Sequence, residues 1–65
     1  MNRARIEIRD VMTNEVLEDM GHICYQNAGQ AVQQCETWYR DELRRYLWEE
    51  NVQAEIVLVN VSDKN

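Results

Sequence analysis

Sixty-five residues carrying seven basic and twelve acidic side chains, for a formal charge of −5, make one small acidic domain. A chain of this length buries only about 60% of its unfolded surface, so its core is marginal and an oligomer or a partner is expected to complete it. The charge disfavours a nucleic-acid ligand, because phosphate contacts need a basic face, and the absence of proline with only two glycines disfavours a loop-rich chain.

Residues 3–12 open with strict alternation: Ala4, Ile6 and Ile8 point one way, Arg3, Arg5, Glu7 and Arg9 the other. That is the pattern of a half-buried strand. At Asp10-Val11 the alternation slips by one, the mark of a bulge or of the end of pairing. Thr13-Asn14 then offers a turn, since Asn tolerates the left-handed conformation that tight hairpins require.

Residues 15–25 read in two ways. As a helix they have Thr13 as N-cap, early acids, Val16, Leu17 and Met20 on one side and Gly21 as terminator. As a strand they complete a hairpin with residues 3–12. The edge problem favours the hairpin, because without it the first strand has a single partner and two-stranded sheets are marginal.

Residues 28–50 predict one long amphipathic helix. Ala28, Ala31, Val32, Cys35, Trp38, Tyr39, Leu43, Tyr46 and Leu47 recur at the three- and four-residue spacings of one face. Asn27 caps it, Gln30 completes a capping box, and Asn51 suits its end. Glu36-Arg40, Asp41-Arg45 and Arg45-Glu49 have the spacing of surface ion pairs. Glu42 interrupts the apolar stripe and is expected at its rim, reaching water or Arg45.

Residues 54–61 are apolar on both faces, Ile56 and Leu58 on one, Val57, Val59 and Val61 on the other, as in strands buried on both sides. The tail, residues 62–65, is polar and expected to fray. The assembled prediction is α+β with element order β-β-α-β: a three-stranded antiparallel sheet in the order 2-1-3, one long helix across one face, and a single domain spanning 1–65.

Two surfaces are left over in a monomer. The last strand is an unprotected edge, and its Val57, Val59 and Val61 face away from the helix; self-association there as a homodimer is the simplest cover, with strand addition by a partner or a folded-back tail as rivals. The other surface is the helix end. Twenty-three helical residues span about 35 Å against about 27 Å for an eight-residue strand, so Tyr46, Leu47 and Trp48 are expected to overhang the sheet. Trp48 lies opposite Cys35 and Tyr39, near Asp41, Arg44 and Arg45. It either stacks under Arg44 or, with Arg44, Arg45 and Tyr46, forms a partner-binding patch of the residue types that dominate interface hot spots.

Catalytic and metal chemistry find little support. His22, Cys24 and Cys35 are the only reactive set, and neither a CxxC nor an HxxxH spacing is present; zinc wants four ligands, and a Cys-His nucleophile wants an orienting third group. No cofactor is expected and the chain reads as non-enzymatic. With no apolar leader in residues 1–10 and no run near the roughly 18 apolar residues of a span, a cytoplasmic location with both cysteines reduced is expected.

The hairpin-like IEIRDVMTNEVLE, one amphipathic helix, one strand, short length and acidic charge together give a form that resembles small accessory proteins of phages and prophages. The resemblance covers most of the chain and rests on form rather than on a motif. It implies a protein-binding inhibitor of a host enzyme, one that handles nucleic acid or serves defence. The alternatives are a small structural protein acting as a homo-oligomer, and a Cys/His metal or thiol site.

Overall fold

The computed structural model describes residues 2–62, and the side chains of residues 2–59. The elements are β1 (Asn2–Asp10), β2 (Val16–Tyr25), α1 (Ala28–Trp38), α2 (Arg40–Glu49) and β3 (Ala54–Ser62). The strands form one sheet in the order β2-β1-β3, with β1 antiparallel to both neighbours. The expected sheet and hairpin are therefore present. The tail beyond residue 62 and the side chain of Val61 lie outside the described residues.

β1 fills the centre, and its apolar row lies under the helices. Ala4, Ile6 and Ile8 are buried beneath the helices, joined by Ile56 from β3, Tyr25 from β2, and Ala31 and Cys35 from α1. Leu17, Met20, Tyr39, Leu43, Tyr46 and Leu58 pack around Ile6, Ile8, Cys35 and Ile56.

The loop between β1 and β2 is held by side chains. Asp10 Oδ1 accepts from the N–H groups of Met12 and Thr13, at 2.7 and 3.3 Å, and Thr13 Oγ1 accepts from Glu15 N–H at 3.2 Å. Asn14 adopts φ 64°, the left-handed turn conformation anticipated for it. β1 ends at Asp10, where the alternation slips, and one last backbone bond follows it, from Val11 N–H to the Gln53 carbonyl at 2.9 Å.

Two irregularities lie in the pairing of β1 with β2, and a third in its pairing with β3, between Arg3 and Arg5. Against β2, register shifts fall between Ile6 and Glu7 and between Ile8 and Arg9, so Met20 and Leu17 are the extra residues of two bulges. A bulge sets two neighbouring residues against one on the partner strand, which lets Leu17 and Met20 join the helix-side core although strict alternation would have turned one of each adjacent pair away. Gly21, at φ 95°, supplies the backbone conformation of the second bulge.

The single helix expected over residues 28–50 is two helices, interrupted at Tyr39 with φ −107° and ψ 24°. Thr37 Oγ1 donates to the Gln33 carbonyl at 3.1 Å, a back-bond that bends helices, and Thr37-Trp38-Tyr39 is a run of poor helix formers. Asp41 and Glu42 then occupy the first turn of α2, where carboxylates favour a new helix N-terminus. The break allows Tyr39, Leu43 and Tyr46 all to stay on the core. Among the described residues none of the anticipated ion pairs Glu36–Arg40, Asp41–Arg45 and Arg45–Glu49 forms, and Arg45 pairs with Glu42 and Glu18 instead. Asn27 caps α1 as expected, its Oδ1 accepting from Gln30 N–H at 3.0 Å.

Candidate interaction surface

The two aromatic residues of α2, Tyr46 and Trp48, point in opposite directions, with Arg45 between them. Tyr46 turns toward the sheet, where its hydroxyl donates to Glu18 Oε1 at 2.9 Å. The Arg45 guanidinium carbon sits 4.7 Å from the Tyr46 ring centroid, and its Nη2 lies 3.4 Å from Glu42 and 3.8 Å from Glu18. Burial, and then the Glu18 carboxylate, raise the Tyr46 phenol above its ordinary range. Glu42 thus occupies the stripe's rim beside Arg45, as anticipated. Tyr46 does not overhang the sheet; the break at Tyr39 returns it to the core.

Arg44 and Trp48 turn the other way. Trp48 is 72% exposed, with the Arg44 guanidinium carbon 5.8 Å from its ring centroid. Asp41, Glu42 and Glu49 border the shallow hollow around them. Of the four residues expected to form one patch, Arg44, Arg45 and Trp48 line this hollow, while Tyr46 turns away from it to Glu18. Trp38, counted in the sequence as part of the buried stripe, is 55% exposed and meets Tyr39 edge to face at 6.4 Å.

On the sheet face without helices, Val57 and Val59 are half-buried opposite Glu7 and Arg5 of β1. Glu7 is only 4% exposed there. Arg5 takes its Oε2 at 3.0 and 3.2 Å, and Arg9 takes its Oε1 at 2.7 and 2.9 Å. Two guanidiniums close over one carboxylate, and their alkyl stems shield it from water. The bonds from Arg9, helped by Arg5 and opposed by burial, hold the Glu7 carboxyl below the usual range. The sequence shows these charges only as an alternating polar row; that Glu7 is the one enclosed follows from its place at the centre of the middle strand.

A further feature had no counterpart in the sequence reading. Between α2 and the start of β3 runs a groove of about 190 Å³, floored by Leu43, Leu47 and Ala54 and rimmed by Arg40 and Arg44. It reaches Ala54, the first residue of β3, a strand that among the described residues pairs with β1 alone. Leu47 is an exposed hydrophobic residue, and its position at the margin of the apolar stripe was the available signal.

The sheet separates the reactive set. Cys35 is fully buried on the helix side, whereas His22 and Cys24 lie exposed on β2, opposite Arg5 and Arg3. Burial pushes the Cys35 thiol up, away from the reactive thiolate. Among the described residues, no three His, Cys, Asp or Glu side chains converge as metal ligands, and no helix is long and apolar enough to cross a membrane. Comparison with protein-family models, curated proteins and solved structures finds no match.

Proposed function

We propose that the chain is a non-enzymatic protein-binding module working through the outer face of α2, with Arg44, Arg45 and Trp48 in contact and Tyr46 tying the helix to the sheet. The observation that carries this reading is Trp48, a large aromatic group 72% exposed yet held in place by Arg44. Exposed tryptophan costs solvation and contributes most when a partner covers it. The resemblance to phage and prophage accessory proteins extends the proposal to the role of an inhibitor, acting in the cytoplasm on a host enzyme that handles nucleic acid or serves defence.

Affinity capture from the native host with wild-type and Trp48→Ala chains tests it. The wild type should retain a partner that Trp48→Ala loses while keeping its circular dichroism spectrum. Equal recovery by both chains would remove α2 from the interface.

The open edge of β3 favours a second reading, an assembly protein that pairs through β3 with Val57 and Val59 at the contact. Sedimentation decides it: a monomer at micromolar concentration excludes a strand-paired dimer of useful stability.

A further inference from the structure

We infer that the groove between α2 and β3 is a strand-addition site for an extended segment of a partner protein carrying aliphatic residues at alternate positions and an acidic residue beside them. The inference rests on the reading of the chain as a protein-binding module and names the chemistry of what it binds.

The backbone of β3 is set for addition. Val11 N–H donates to the Gln53 carbonyl, and with Asp10 opposite Ala54 in the register this makes Val11 and Gln53 a bonded pair. Bonded and non-bonded pairs alternate along an antiparallel ladder. Ala54, Ile56 and Leu58 therefore direct their N–H and C=O groups away from β1, toward the open edge. A strand docked there places every second side chain on the helix side of the sheet, where Leu43, Leu47 and Ala54 form the groove floor. Backbone bonds would supply affinity and the groove would select side chains.

Charge identifies the segment further. In this acidic chain Arg5, Arg9 and Arg45 are bound to internal carboxylates. Among the described residues, Arg3, Arg40 and Arg44 make no ion pair, and of these Arg40 and Arg44 stand at the groove rim. Glu36 is the one acid on the lining, so the rim keeps a positive excess that one carboxylate of the segment would answer. A second copy of this chain offers a poorer fit, because two-fold pairing of the two β3 edges is antiparallel and turns its Glu55, which stands at the start of the strand, away from the Arg40 and Arg44 rim beside Ala54.

Selection of random displayed peptides on the immobilised full-length chain, followed by backbone NMR of the complex, tests the inference. The expected peptides alternate aliphatic residues with at least one Asp or Glu, and they shift the amides of Ala54, Ile56 and Leu58. Arg40→Glu should weaken them about tenfold, Leu47→Glu should abolish binding, and Trp48→Ala should leave it unchanged. Failure to enrich any peptide, enrichment indifferent to charge, or shifts confined to other elements would overturn the inference. So would concentration-dependent shifts at Ile56 and Leu58 without peptide, which would assign the edge to a second copy. Retention of the captured host partner by Trp48→Ala refutes the α2 surface without touching this result, so the two failures are distinguishable.

Discussion

The Tyr46 hydroxyl donates to the Glu18 carboxylate at 2.9 Å and ties the second helix to the far edge strand of the sheet. A hydrogen bond between an aromatic hydroxyl and a carboxylate fixes an angle of approach that aliphatic packing leaves loose. Tyr46→Phe removes the bond and keeps the ring, so a loss of about 1 kcal/mol is expected in urea unfolding. The same residue predicts an alkaline limit. Its phenol is raised in the folded state, first by burial and then by Glu18, so its contribution is intact below the unfolded value of about 10 and is lost as pH climbs through the folded one. Wild-type stability should decline above that point more steeply than that of Tyr46→Phe.

Glu7 predicts the acid limit. Its carboxyl is depressed chiefly by the bonds from Arg9, so its contribution is present above the unfolded carboxylate range and disappears as pH falls through the folded value. Glu7→Gln should melt at a lower temperature than wild type at neutral pH. The two melting curves should converge in acid. A constant gap at all pH values would mean that the arginine clamp contributes through packing rather than charge.

Ile8 lies at the centre of the core, fully buried on the middle strand. Ile8→Ala should cost about 2–5 kcal/mol, a large fraction of the stability of so short a chain. Loss of the cooperative denaturant transition in this variant is the expected extreme; a change under 1 kcal/mol would contradict the core described above.

Gly21→Ala tests a different physical term. A methyl group there meets no neighbouring atom within 4 Å, but the residue sits at φ 95°, where side chains are strained. A loss of about 1 kcal/mol from backbone strain alone is expected, read from the urea midpoint.

The two thiols should separate by kinetics. Cys24 is exposed and Cys35 buried with its thiol pushed up, so a thiol reagent should modify one equivalent at once and the second at the rate of opening. Cys24→Ala should remove the fast phase only.

Much of the architecture was legible because it follows from alternation and from edges. The row Ala4, Ile6, Ile8 required a central strand, and the marginality of a two-stranded sheet required the hairpin. The bulges of β2 were not legible, because Leu17 and Met20 disturb the alternation in a way that mimics helical spacing until the register with β1 is known. The break at Tyr39 escaped as well. The hydrophobic stripe keeps its spacing across Tyr39, its one interruption being Glu42 further on, and the back-bond of Thr37 that bends the chain leaves no periodic trace. The length argument that moved Tyr46 beyond the sheet depended on a straight helix, whereas the outward direction of Trp48 depended only on angle around α2 and was readable. The groove was hidden for the same reason as the bulges, since it exists only between two elements.

The interruption at Tyr39 also divides the molecule by stability. No residue of α2 is fully buried, while β1 carries more of the interior than any other element. The cheapest excursion available to the native state is therefore a detachment of α2 about Tyr39, with the three strands and α1 left in place. Amide exchange should proceed through α2 first and β1 last. The segment that presents Arg44 and Trp48 is then the one expected to open first, so a partner that covers it would also slow that opening.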